Sequence, residues 1–296
     1  MSVQVDRAGR RGWDRGGRFL IPLVVVMGIT SLFPALYSLY MSLFDWNWGS
    51  RFNFVGLANY LSLLDNERFR TALLNTIVFT VSAVTVELVI GLGLALVVNR
   101  IRFGVSVFRT LLLVPLMVSG IIVSVIWKIL LDPTVGILSY GLRQLGLGPF
   151  GFLGDPGMAM ASIVLIDLWW QSAFVFIVLL AGLGSLPREP LEAAEVDGAG
   201  TVQRLRYVIL PMLRPIILVV LLFRTIDCLK VFAIIFGTTG GGPLTTTESV
   251  QILAYRVAFK QLNMSQSMTM MVIFTLLVLI VVLAYQWIGR SGELDL

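Results

Sequence analysis

The chain has 296 residues, 57% hydrophobic and 13% charged, with a net charge of +5 and a mean hydropathy of +0.90. Soluble domains run at about 45–50% apolar and about 25% charged, so this composition excludes most soluble enzymes and points to an integral membrane protein. Histidine is absent and Cys228 is the only cysteine, which excludes histidine metal sites, Ser-His-Asp triads and an intrachain disulfide.

Residues 1–18 form a basic tail with Arg7, Arg10, Arg11, Arg15 and Arg18. The apolar run from Phe19 to Phe44 follows without a charge. It is too long for a signal-peptide core and has no small-residue cleavage site after it, so it reads as a retained first span. Trp46 and Trp48 follow as interfacial belt residues. The second span is roughly Ala72 to Asn99, interrupted by Glu87, and the third is roughly Val105 to Leu131. The fourth runs from about Met158 to Leu186 and contains Asp167, Trp169, Trp170 and Gln171. The fifth, about Pro215 to Phe236, carries Arg224, Asp227 and Lys230, and the sixth covers about Ser267 to Ile288.

The basic residues set the orientation, because short cytoplasmic segments collect Arg and Lys. The tail arginines with Arg100, Arg102, Arg109, Arg188, Arg204, Arg206, Arg214 and Arg290 outnumber Arg51, Arg68, Arg70, Arg143, Arg256 and Lys260 on the other side. Six spans with both termini cytoplasmic satisfy this pattern. The high pI is then a topology signal and not a nucleic-acid footprint. The domain organisation is a basic tail (1–18), one all-α transmembrane domain (19–288) with a cytoplasmic loop at about 186–214, and a short cytoplasmic tail (289–296).

That loop has unusual content. Pro190 suits a first helical turn, Glu192, Ala193, Ala194 and Glu195 favour helix, and Asp197-Gly198 and Gly200 stop it. A second short helix is expected from Thr201 to a break at Pro211. Small alanines on an exposed helix suit a docking element; the alternative is a solvated linker helix.

Inside the spans, Arg224, Asp227 and Lys230 recur at three-residue spacing on one helical face. They suit a polar strip along a translocation path or an ion-pair network that also takes in Glu87 or Asp167. Trp169, Trp170 and Gln171 lie near the middle of their span and suit sugar stacking in a cavity or helix packing. The three lysines, Lys128, Lys230 and Lys260, follow Trp127, Leu229 and Phe259, so no Gly-Lys phosphate-binding loop exists. Active transport by this chain therefore requires a nucleotide site on another polypeptide. Asp132, Asp155 and Glu248 lack a nucleophile or metal partner for a membrane enzyme, and no internal repeat supports a stand-alone secondary transporter or channel.

Glu192-Ala193-Ala194, Gly198, Val208 and Leu210-Pro211 have the spacing of the EAA loop, and the chain resembles ABC importer permeases of the binding-protein-dependent carbohydrate (maltose-type) branch. Asp197-Gly198-Ala199, the Pro211–Pro215 and Phe223–Asp227 blocks, Phe54–Tyr60, Asn75-Thr76, Thr239–Pro243 and Thr247-Glu248 extend the resemblance over nearly the whole chain from residue 19. Departures are Val208 for the usual Ile, Ala173 where a Pro often precedes Phe174, and Ala233 where an Asp often follows Phe232. The resemblance implies a type I importer-like permease that forms half of a path for a sugar or polyol. It implies a second homologous permease, two ATPase subunits holding ATP and Mg, and an extracytoplasmic solute-binding protein, in a bacterial or archaeal inner membrane. Glu192, Ala193, Ala194, Asp197 and Gly198 would couple to the ATPase, with no cofactor on this chain.

Overall fold

The computed structural model describes residues 20–48, 52–101 and 104–293. The basic tail 1–18, Arg51, Arg102 and residues 294–296 lie outside the described residues, as does the side chain of Arg290. In chain order come α1 (Leu20–Met41, with a π turn at Gly28–Leu32), β1 (Phe44–Asp45), β2 (Asn53–Phe54) and α2 (Ala58–Leu64). Next are α3 (Glu67–Arg100), α4 (Val105–Leu113), α5 (Gly120–Leu130), α6 (Ile137–Gln144) and α7 (Ala159–Ser185). The chain ends with α8 (Glu189–Val196), α9 (Thr201–Leu229), α10 (Ala233–Gly237), α11 (Val250–Phe259) and α12 (Met264–Glu293). Among the described residues, α1, α3, α7, α9 and α12 are long and apolar enough to cross a bilayer; a bent pair, Ser106–Met117 with Gly120–Leu130, completes a sixth span.

Three expectations are corrected. The third span is not one helix: its halves meet at 96°. Pro115 opens a 3-10 turn at Pro115–Met117, and Val118 and Ser119 then adopt extended backbone, because proline cannot continue the helical hydrogen-bond ladder. The helix beginning at Thr201 does not stop at Pro211. A π turn at Leu205–Ile209, closed by the Leu210 amide on the Leu205 carbonyl, shifts the ladder immediately before the proline, and the helix runs 29 residues to Leu229. The fifth span ends at Lys230 and not Phe236; α10 is a separate short helix.

The described residues fall into two compact units. In the first, which holds residues up to Asp65 and Val257–Ile273, the two-residue strands pair antiparallel, Phe44 opposite Phe54. Asn59 donates to the Ser42 and Phe44 carbonyls, and Ser265 receives the Trp46 amide at 2.9 Å. In the second, Asn66–Arg256 with the chain from Phe274, the most extensive helix contact is α3 against α7. Without a hydrophobic drive between helices in lipid, close approach depends on small residues. Ala83 and Ala95 are fully buried, Gly91 faces Val175, and Gly182 faces Leu213 and Ile216 of α9. The exposed faces of α1, α3 and α12 are rich in Val, Leu and Ile, with Phe33 and Trp287 among them, as suits a lipid-facing surface.

Candidate functional site

The 186–214 loop folds as α8, a tight bend and the start of α9. Arg188 precedes the first turn, Pro190 occupies it, and Glu189 and Glu192 lie where the helix dipole favours acids. At the other end the Gly198 amide donates to the Glu195 carbonyl (3.1 Å) and the Ala199 amide to the Ala194 carbonyl (2.9 Å). This double closure needs a left-handed residue, and Gly198 has φ +75°. Gln203 accepts the Gly200 amide at 2.8 Å, and Arg204 pairs with Glu195, tying the second helix to the first. No residue of α8 is buried. Val196 is 88% and Val202 75% exposed, an apolar surface at the end of a polar loop. Beneath α8 a groove of about 450 Å³ is lined by Leu96, Arg100, Arg188, Leu191, Glu192 and Arg204, among others.

At about 1.5 Å per residue, α9 carries the chain about 35 Å from Thr201 to a polar cluster deep in the bundle. Arg224 is the hub. Its Nε donates to Glu87 Oε2 (2.6 Å), and its terminal nitrogen reaches Glu87 Oε1 (2.8 Å), Asp167 Oδ2 (2.8 Å) and Cys228 Sγ (3.2 Å). Side-chain exposure is 3% for Arg224, 0% for Glu87 and 6% for Asp167. The network joins α3, α7 and α9. Ligand-type atoms of Glu87, Asp167 and Cys228 lie within 4.8 Å of one another, but the guanidinium already donates to each of them. Of the two arrangements the spacing allowed, Arg224 takes the ion-pair network.

Asp227 and Lys230 behave differently. Asp227 touches Arg224 at 3.6 Å and leaves 60% of its side chain exposed. Lys230 ends the helix at its C-cap and is exposed. Both line a cavity of about 370 Å³ together with Trp170, Gln171, Phe232 and Phe79. Trp170 packs into the break of the third span: its Nε1 donates to the Val118 carbonyl at 3.0 Å, and its ring edge lies against Gly120. Trp169, about 100° further round the helix, stacks edge-on with Trp127 (5.6 Å) and does not line the cavity. Four of the five path residues read from the sequence thus share one cavity.

At the far end of the bundle from α8, a clasp was missed. Glu248 is buried and accepts from Arg68 (2.8 and 3.0 Å) and Arg256 (2.5 Å). Asn75 donates to the Thr245 and Glu248 carbonyls, and Thr76 accepts the Val250 amide. Read alone, Glu248 lacks partners in sequence; its arginines are 180 and 8 residues away. The available signal was an acidic residue placed two positions before the start of α11 at Val250.

Residues 87–291 match the model of the family described as "Binding-protein-dependent transport system inner membrane component". The chain is 36% identical over 241 residues to the trehalose/maltose transport system permease protein MalF of Thermococcus litoralis, covering 81% of this chain and 82% of the relative. It is 31% identical over 275 residues to the sn-glycerol-3-phosphate transport system permease protein UgpA of Yersinia pestis, covering 92% and 93%. In fold it matches a chain of the bacterial alginate ABC transporter crystallised with an alginate pentasaccharide-bound periplasmic protein, with a TM-score of 0.83, 22% identity, and 95% and 98% coverage. The six spans, one of them bent, and the exposed loop helix have the architecture of a type I importer permease, and nothing in these findings supports a stand-alone transporter. The chain belongs to the family of binding-protein-dependent transport system inner membrane components and is a multi-pass membrane permease subunit.

Proposed function

We propose that this permease forms half of the translocation path of an ATP-driven importer for a sugar or related polyol in a bacterial or archaeal inner membrane. A second homologous permease supplies the other half, and an extracytoplasmic solute-binding protein delivers the substrate. Two ATPase subunits hold ATP and Mg, and one of them docks on the 186–214 loop through Glu192, Ala193, Ala194, Asp197 and Gly198. The observation that carries this reading is the unbroken α9: one helix links the exposed loop to the cavity holding Asp227 and Lys230. A push on α8 is transmitted along this helix, which continues through the π turn at Leu205–Ile209 and past Pro215 to Leu229. The names of the relatives, trehalose/maltose and sn-glycerol-3-phosphate, and the alginate-bound structure support a carbohydrate or polyol as cargo.

The test is affinity purification of the tagged chain from its native membrane, followed by reconstitution. A second permease and an ATPase are expected to co-purify, and ATP hydrolysis should rise several-fold with ligand-loaded binding protein. A chain that purifies alone and moves solute without ATP sinks the reading. Gly198→Val provides a sharper check. A left-handed conformation costs an ordinary residue about 1–2 kcal/mol and a β-branched one more, so the α8 cap opens. Transport should fall at least tenfold with the permease still in the membrane, whereas Gly198→Asn, which tolerates that conformation, stays near wild type. Equal transport in both variants would show that the cap geometry is irrelevant to coupling.

A further inference from the structure

The cavity at the end of α9 holds three polar side chains with unspent hydrogen-bonding capacity. The Lys230 ammonium and the Gln171 amide make no hydrogen bond or ion pair among the described residues, and Asp227 makes only its 3.6 Å contact with Arg224. A charge at membrane depth is costly unless it faces water or a partner. Lys230 is also where the helix stops: Lys230–Phe232 leave the helical ladder before α10 begins at Ala233, and irregular backbone at that depth is tolerated where it lines a water-filled space. Asp227 and Lys230 do not pair with each other, although they lie one turn apart on the same face. The space between an acceptor and a donor is left open.

The charge balance narrows what fills it. Arg224 is withdrawn: its side chain is 3% exposed, its Nε and one terminal nitrogen are taken up by Glu87 and Asp167, and its other terminal nitrogen faces Asp227 at 3.6 Å. Lys230 is therefore the one cation of the cavity that can reach a ligand. Of the two carboxylates that line the cavity, Asp167 is engaged by Arg224, and Asp227 stands 60% exposed one turn from Lys230. A carboxylate or phosphate drawn to Lys230 would meet Asp227 one turn away, whereas a neutral diol satisfies both, accepting from the ammonium and donating to the carboxylate. Trp170 and Phe232 supply apolar ring surface for the carbon face of such a molecule.

We infer that Asp227 and Lys230 bind adjacent hydroxyls of a neutral sugar or polyol as a complementary pair, and that Asp227 discriminates against solutes carrying a negative charge. This rests on the reading of the cavity as part of the translocation path. It makes Asp227 the specificity-determining residue and Lys230 its donor partner. Gln171, with a donor and an acceptor, serves a further hydroxyl.

The experiment uses the intact transporter complex in lipid nanodiscs and saturation-transfer NMR, which reads weak binding. The probes are matched pairs: glucose with glucuronate and glucose 6-phosphate, and glycerol with glycerol 3-phosphate. The wild type is expected to bind the neutral member of each pair at least fivefold more tightly. Asp227→Asn, isosteric and at an exposed side chain, should weaken neutral binding severalfold and narrow or reverse the preference. Lys230→Met should weaken neutral binding without any gain for the anions. Assembly of each variant is checked by co-purification of the ATPase. A wild type that binds the anionic members as well as the neutral ones overturns the inference while leaving the path reading intact, as does an unchanged ratio in Asp227→Asn. Failure of every probe, neutral and anionic, to bind the wild type overturns the path reading and the pair together.

Discussion

Arg224→Met is expected to remove most of the folded permease from the membrane. The substitution keeps an unbranched apolar stem but deletes the charge that Glu87 and Asp167 share. Both carboxylates are at most 6% exposed, so neither recovers water in exchange. Breaking a buried ion pair from one side costs about 3–5 kcal/mol, comparable to the whole stability margin of many domains. The yield of monodisperse protein in detergent should fall severalfold, with a clearly lowered thermal midpoint. Arg224→Lys should recover part of the loss, since an ammonium carries the charge but cannot span the two-point contact with Glu87 and still reach Asp167. The decisive variant is the triple one, Glu87→Gln, Asp167→Asn and Arg224→Met. Removing all three charges together should restore stability to near wild type, because the penalty lies in the unmatched carboxylates. A single Arg224→Met protein as stable as wild type would show that the network contributes nothing to folding.

Gly91→Leu should have a similar effect by a purely steric route. A Cβ at Gly91 would lie 2.6 Å from Val175 Cγ1, 2.8 Å from Val175 Cβ and 3.2 Å from the backbone nitrogen of Phe176. The side chain of Val175 is branched and packed, and the Phe176 nitrogen belongs to the helix itself, so relief requires α3 and α7 to separate. Their separation would also draw Glu87 and Asp167 apart, because the two acids project from these same helices. Overpacking of this kind costs about 1–3 kcal/mol and more where backbone must move. Thermal unfolding should shift down by several degrees, and Gly91→Ala should lie between Leu and wild type. Adding Val175→Ala to Gly91→Ala should return part of the loss; no recovery in the double variant would mean that the seam is not set by this contact.

Much of the architecture was readable from residues alone, for identifiable reasons. Long apolar runs have one stable solution in a bilayer, so the first, second, fourth and sixth spans appear within about five residues of where hydropathy puts them. The EAA loop was equally legible, because Pro190, the alanines and Gly198 act within a few residues of one another. The errors cluster at prolines and at the ends of half-helices. Pro115 breaks its span and Pro211 does not, although both lie in similarly apolar surroundings. The difference is the π turn at Leu205–Ile209, which has no marker in composition.

The intramembrane residues show the same division. Three-residue spacing correctly put Arg224, Asp227 and Lys230 on one side of a helix, but spacing does not say which of them other helices enclose. Glu87 and Asp167 lie 137 and 57 residues from Arg224, and only packing of α3 and α7 against α9 brings them to it. Likewise Trp169 and Trp170 are indistinguishable as neighbours in sequence. A rotation of about 100° between them sends one to Trp127 and the other to the Val118 carbonyl and the cavity. Glu248 gains its arginines in the same long-range way.

The sequence by itself therefore determined what local and solvent-driven forces govern: membrane residence, the positions of most spans, and the capped loop helix. The tertiary structure alone decided what depends on meetings between distant segments. It turned Arg224 into a buried strut, left Asp227 and Lys230 open to the cavity, and placed Trp170 at the break of the third span. The physical reason is the range of the interactions. Hydropathy and helix capping act within about one span of chain, whereas burial and charge pairing are settled only when helices far apart in sequence come into contact.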